Sequence, residues 1–140
     1  MIDLLSIHVG ILILTGVIIL YSDHQAFLYI RGKKLLLHSK STDVLHYLVW
    51  AGLIGMITTG VLMALPAWQY YISMPGFLLK MVFVGILVGN SFVITSLKSV
   101  AYTTPFASLS GSQKMKLFMS GAASAVSWVG AAVTALIVLG

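Results

Sequence analysis

The sequence predicts an all-α integral membrane protein, folded over residues 1–140 as a single antiparallel up-and-down bundle of four helices. Three observations predict this fold class. Only 8% of the residues are charged and 59% are apolar, whereas a soluble domain is about 25% charged and about 45–50% apolar. The mean hydropathy is +1.04. Four separate stretches are apolar over about the 20 residues that a helix needs to cross a bilayer.

The four apolar stretches are continuous, which favours helices over the alternating strands of a membrane barrel. The predicted spans cover residues 4–21, 44–65, 77–97 and 117–139. No Lys or Arg precedes the first span, and no small-residue cleavage pattern follows it directly, so we expect it to be retained. The spans use more than half of the chain, which argues against an additional soluble domain.

The basic residues predict how the bundle is oriented. The connection over residues 66–76 carries no charge, and its Trp68, Tyr70 and Tyr71 are typical of an aromatic belt at a membrane surface. The positive-inside rule places the two basic connections in the cytoplasm, so both termini are expected outside. Seven of the eight basic residues lie in those two connections: Arg31, Lys33, Lys34, Lys40, Lys98, Lys114 and Lys116.

The connections also carry helix signals. Residues 24–40 mix leucines with basic residues, which suits either a segment at the inner interface or a plain loop. Ser41, Thr42 or Asp43 is expected to cap the second span, and Ser112 the fourth. Gly85 and Gly89 are one turn apart in the third span and are expected to allow close helix packing.

Polar residues within the spans are the candidate functional residues, because they are costly to place in a bilayer. His8 and Lys80 lie near the outer ends of spans one and three and form the predicted outer site. The predicted inner cluster consists of His46, Asn90, Ser120 and Ser124. At 1.5 Å per residue, the two histidines are roughly 15–20 Å apart along the membrane normal, which disfavours joint ligation of one haem.

Each of these residues also has an ordinary structural interpretation. His8 and His46 suit hydrated positions near the membrane surfaces, and Lys80 suits snorkelling of its ammonium to the outer surface. Asn90 suits a hydrogen bond between helices. The sequence alone leaves these alternatives open.

Several classes of chemistry are disfavoured by composition. The chain has no cysteine, so thiolate catalysis is excluded and an iron–sulfur cluster lacks its usual ligands. It has three Asp and no Glu, and none of the three falls in the middle of a predicted span, which disfavours a carboxylate proton relay. Topology explains the basic charge, so no nucleic-acid partner is expected. No catalytic residue is predicted, and the sequence does not decide whether the protein is an enzyme.

Three features carry a resemblance to a known group of proteins. His8 stands near the start of span one, Thr59–Leu62 reads TGVL towards the end of span two, and Gly76 and Lys80 open span three. The arrangement resembles small four-helix bacterial membrane proteins of the CopD and haem-binding protoporphyrinogen oxidase type. The resemblance implies a bacterial or archaeal cytoplasmic membrane, and a haem near His8 and Lys80.

Two functions from different classes follow. The first is an accessory or interaction subunit in a membrane complex, whose partners are the lipid bilayer and another membrane protein or a second copy of the chain. The alternative is a redox protein that holds haem b between spans one and three. In that alternative His8 is the iron ligand, and Lys80 pairs with a haem propionate.

Overall fold

The computed structural model describes the backbone of residues 3–139 and the side chains of residues 3–137. Within this part of the chain, 89% of the residues are helical and no strand is present. The predicted all-α class is therefore confirmed. Four helices among the described residues are long and apolar enough to cross a membrane.

The long helices extend beyond the apolar stretches that predict them. The helices are α1 (Leu4–Ile30), α2 (Ser39–Ala64), α3 (Trp68–Ile72), α4 (Pro75–Thr103) and α5 (Gly111–Leu139). A short turn over Leu65–Ala67 joins α2 to α3, and a second turn over Phe106–Ser108 lies between α4 and α5.

Helix α1 continues well past the apolar stretch of span one. No Gly or Pro interrupts the chain until Gly32, which adopts a φ of 72°. The amide of Lys33 then donates to the Leu28 carbonyl and that of Gly32 to the Tyr29 carbonyl, the two hydrogen bonds of a Schellman motif. Asp23 follows the predicted span over residues 4–21, but it lies within the helix.

The helix caps differ from those predicted. His38, rather than Ser41, Thr42 or Asp43, caps α2, because its Nδ1 accepts from the backbone N–H of Ser41 at 3.3 Å. Helix α5 starts one residue before Ser112. Ser110 and Gln113 form a reciprocal capping box there, in which each side chain accepts from the other residue's backbone N–H.

The bundle consists of two helix pairs. Helix α1 packs mainly against α2, and α4 against α5, while the contacts of α2 with α4 and of α1 with α5 are less extensive. Glycines allow the closest approaches. A Cβ on Gly52 would overlap the Thr15 side chain, and a Cβ on Gly130 would lie 2.6 Å from the Phe83 ring.

The expectation for Gly85 and Gly89 is wrong. A Cβ added at either position of α4 would meet nothing within 4 Å, and both residues are exposed. The close contacts lie at Gly52 and Gly130 instead, where the side chains of Thr15 and Phe83 fill the space that glycine leaves.

The two basic connections lie at the same end of the bundle, named here the basic end. The Leu37 amide donates to the Ala101 carbonyl at 3.0 Å, and the Tyr29 hydroxyl donates to the Thr104 carbonyl at 2.6 Å. Lys98 and Asp43 form an ion pair at 2.8 Å. These contacts join residues 29–43 to residues 98–104, so the ends of α1 and α4 and the start of α2 are held together.

Burial is inverted relative to a soluble protein. Large apolar side chains such as Leu20 (68% exposed) and Leu136 (72% exposed) point away from the bundle. Polar side chains fill much of its interior, and no fully buried side-chain nitrogen or oxygen among the described residues lacks a hydrogen-bond partner. The buried polar side chains are His8, Thr15, His46, Thr59, Asn90, Ser91, Ser120, Ser124, Ser127 and Thr134.

Replacing Gly52 by Ala should destabilise the α1–α2 pair. The new Cβ would lie 2.6 Å from Thr15 Cγ2, and Thr15 is 2% exposed and β-branched, so it cannot turn away. We expect the free energy of unfolding in detergent to fall by about 1–3 kcal/mol, the usual range for overpacking.

Gly10→Ala is the matched control, because a Cβ there would meet nothing within 4 Å. It should leave the stability unchanged or raise it, since Ala is favoured over Gly within a helix by about 0.5–1 kcal/mol. Adding Thr15→Ala to Gly52→Ala should recover part of the loss. Equal thermal midpoints for Gly52→Ala and Gly10→Ala would contradict this account of the packing.

Candidate functional site

The first polar site surrounds His8 on α1 and is named here the His8 site. The imidazole is 8% exposed, and its Nδ1 lies 2.6 Å from the Thr59 hydroxyl oxygen on α2. The Thr59 hydroxyl also lies 2.7 Å from the carbonyl oxygen of Gly55, one turn earlier on its own helix. Both residues are positioned by helix geometry: His8 lies one turn inside the start of α1, and Thr59 lies near the end of α2.

The hydrogen bond between His8 Nδ1 and the Thr59 hydroxyl holds the ring, and its direction depends on the tautomer of His8. With the Thr59 proton donated to the Gly55 carbonyl, the hydroxyl oxygen accepts from His8 Nδ1–H, and Nε2 of the neutral ring is unprotonated. In that tautomer the ring has the orientation of a metal-ligating histidine, whose other N–H donates to an oxygen.

Two further residues complete the His8 site. A Cβ at Gly60 would lie 3.5 Å from His8 Cε1, an ordinary van der Waals distance, so this edge of the ring faces α2 at a residue without a side chain. Lys80 on α4 is half-buried. Among the described side chains, Lys80 forms no ion pair.

The second polar site is a cavity of about 50 Å³ between all four long helices, named here the Asp23 cavity. Asp23 on α1 is the carboxylate in its wall, and Ser124 on α5 lies within hydrogen-bonding reach of that carboxylate. The other polar residues of the wall are Ser22, Thr42, His46, Asn90 and Ser91.

His46 is held by a different set of contacts from His8. The indole N–H of Trp50 donates to His46 Nε2 at 3.1 Å, and an indole nitrogen can only donate. Nε2 is therefore unprotonated, and the neutral ring carries its proton on Nδ1. The Thr95 hydroxyl lies 2.7 Å from the same Nε2, and also within reach of the Ser91 carbonyl. Because Nε2 is occupied, His46 is a poor candidate for an iron ligand.

Asn90 and Ser120 join α4 to α5. The Asn90 amide donates to the Ser120 backbone carbonyl at 2.9 Å, and the Ser120 hydroxyl donates to Asn90 Oδ1 at 2.9 Å. The structure thus brings the predicted inner residues together: Asn90 and Ser120 bond directly, and His46, Asn90 and Ser124 line the same cavity.

The two sites are far apart along the bundle. Thirteen positions of α2 separate Thr59, the partner of His8, from His46, which is about 20 Å at the helical rise. Residues 3–137 contain no group of three or more His, Cys, Asp or Glu side chains that could together hold a metal ion.

No protein-family model, curated protein or solved structure matches this chain.

Sequence reasoning missed the partners that orient both histidines. Thr59 stands out in the sequence only as part of the TGVL segment, and nothing in the sequence singles out Thr95. A hydroxyl inside an apolar helix does not signal its partner, because it can satisfy itself on its own backbone, as Thr134 does. Asp23 could have been found: the next helix-ending residue after it is Gly32, so a helix continuing past Tyr21 would carry the carboxylate into the bundle.

Proposed function

We propose that this chain is an integral membrane protein, an antiparallel up-and-down bundle of four membrane-spanning helices. Four long apolar helices and the exposed apolar side chains around the bundle support this. Contacts that pair the start of α1 with the end of α2, as between His8 and Thr59, support the antiparallel order of that pair. Buried polar groups with internal partners are what hydrocarbon surroundings require.

We further propose that the basic end faces the cytoplasm and that both termini lie outside. The hydrogen bonds and the ion pair between residues 29–43 and residues 98–104 support a common side for both basic connections. Four cationic side chains in the first connection and three around the second then lie beside the anionic inner leaflet.

Single-cysteine variants test this orientation without background labelling at other positions, because the chain has no cysteine of its own. In spheroplasts, a membrane-impermeant maleimide should label Gln69→Cys, at the aromatic connection, before lysis. Lys33→Cys should be labelled only after lysis. The opposite labelling pattern would reverse the proposed orientation, and equal labelling of both variants in intact spheroplasts would refute the sidedness.

For the function, we propose that the protein binds one b-type haem at the His8 site. The observation that carries this is the hydrogen bond between His8 Nδ1 and the Thr59 hydroxyl, which fixes the ring and leaves Nε2 as the nitrogen for an iron ligand. Lys80, a cation without an ion-pair partner among the described residues, suits a haem propionate.

Two features of the surroundings of His8 support a flat group beside the ring. Gly60 has no side chain next to the imidazole, and α1 and α4 do not pack extensively against each other. Neither the Asp23 cavity nor the cavity beside Tyr29 reaches His8, so the haem would lie between α1 and α4 rather than in either cavity. Bound haem supplies one-electron redox chemistry, and the residues of the chain supply the ligand, its orientation and a compensating charge.

The visible spectrum of detergent-purified protein, expressed with ample haem, tests this proposal. The wild type should show a Soret band in stoichiometric amount, and His8→Ala should lose it. Thr59→Val removes the acceptor of Nδ1–H while keeping the side-chain shape, and should weaken haem binding by about 10–100-fold, as for other partners of ligating histidines.

His24→Ala is the matched control, because His24 is an exposed histidine on the same helix. It should bind haem like the wild type. The absence of a Soret band in the wild type, or an unchanged band in His8→Ala, would refute haem ligation by His8.

A second function, as an accessory subunit that docks another membrane protein, is favoured by the outer face of α4. Gly85 and Gly89 lie exposed on that face with nothing within 4 Å, which permits close approach by a helix of a partner. A colourless protein that co-purifies stoichiometrically with one membrane protein, and loses it on Gly89→Leu but not on Gly121→Leu, would favour this function over haem binding.

A further inference from the structure

Asp23 is a half-buried carboxylate in the wall of the Asp23 cavity, and none of the Lys and Arg residues forms an ion pair with it. All eight Lys and Arg residues lie within the described part of the chain, and the ion pair found there joins Lys98 to Asp43 rather than to Asp23. Placing an isolated carboxylate away from bulk water is costly unless a positive charge compensates it. A bound cation would compensate this charge, and the Lys and Arg residues of the chain do not provide it.

The other polar groups of the cavity are oxygen donors. The hydroxyls of Ser22, Thr42 and Ser124 come from three different helices, and Ser124 is 7% exposed. Two of the nitrogen groups in the wall are already hydrogen-bonded: His46 Nε2 accepts from Trp50, and the Asn90 amide donates to Ser120. Carboxylate and hydroxyl oxygens are the ligands that hard cations prefer.

The size and charge of the cavity select the kind of cation. A volume of about 50 Å³ is several times the roughly 15 Å³ that one water needs, so an ion with one or two waters fits. A proton on Asp23 would need no such space. A monovalent ion neutralises the one carboxylate, whereas a divalent ion would leave an uncompensated charge between apolar helices.

We propose that the Asp23 cavity binds one monovalent cation of the Na⁺ class, with the Asp23 carboxylate as its anchor and the hydroxyls of Ser22, Thr42 and Ser124 as further oxygen ligands. Ionisable residues inside membrane bundles commonly mark ion sites. The site lies at the level of His46, away from the His8 site, so either proposal can fail while the other stands.

Thermal unfolding of the full chain in detergent tests the ion. The three Trp residues provide the fluorescence signal, and NaCl is titrated against choline chloride at constant ionic strength. A ligand that binds only the folded state raises the midpoint with its concentration. We expect a rise of several degrees in NaCl, saturating at high concentration, and no rise in choline chloride.

Asp23→Asn should abolish the Na⁺-dependent rise, because the anchoring charge is gone. Asp43→Asn is the matched control: it removes a carboxylate at the basic end that already has Lys98 as its partner, and it should keep the full rise. An equal rise in both salts, or a full rise in Asp23→Asn, would overturn the proposal. Stability that depends on pH but not on Na⁺ would mean that Asp23 takes a proton instead, and would also overturn it.

A direct binding measurement keeps the proposal testable if Asp23→Asn does not fold. Radioactive sodium should bind the wild type at one equivalent in a scintillation proximity assay. Ser124→Ala, which removes one hydroxyl ligand and keeps the carboxylate, should bind it more weakly by about tenfold. Binding below one tenth of an equivalent to the wild type, or identical affinity in Ser124→Ala and Asp43→Asn, would refute the assigned ligands.

Discussion

The structure depends on one constraint: a polar group inside this bundle must find its partner within the protein. In the proposed membrane, lipid tails would offer no hydrogen bonds and would be as apolar as leucine, so hydrophobic burial would not drive the helices together. The interior of the bundle accordingly carries polar pairs, such as Thr59 with His8 and Ser120 with Asn90, while leucine and valine cover its surface. Each pair joins two helices, so the groups that are costly to bury also determine how the helices meet.

The same constraint gives the two histidines different properties. His8 uses Nδ1 for its contact with Thr59 and keeps Nε2 free, whereas His46 has Nε2 occupied by Trp50. The residue type is identical, but the position of the partner hydroxyl or indole decides which nitrogen is left for a ligand. A redox group at one level and an ion at the other would therefore act through separate parts of one small bundle.

The sequence predicts the helical class, because the length of an apolar run depends on spacing alone. Helical rise gives the depth of a polar residue in the same way. Asn90 and Ser120 are predicted at one depth, and they bond. Spacing says less about rotation around each helix. Spacing therefore does not reveal that Gly85 and Gly89 face away from the neighbouring helices, or that Gly52 contacts Thr15. Hydropathy places Asp23 outside the first span because it ends a span where charge begins, while the helix continues almost to Gly32.

The orientation of His8 is the central claim, and nitrogen NMR of ¹⁵N-histidine-labelled protein in lipid bilayers measures it most directly. The His8 signals are identified by their loss in His8→Gln, in protein free of haem. The account predicts a neutral ring with the proton on Nδ1, coupled to the Thr59 oxygen, and an unprotonated Nε2. A proton on Nε2, or a tautomer unchanged by Thr59→Val, would contradict it.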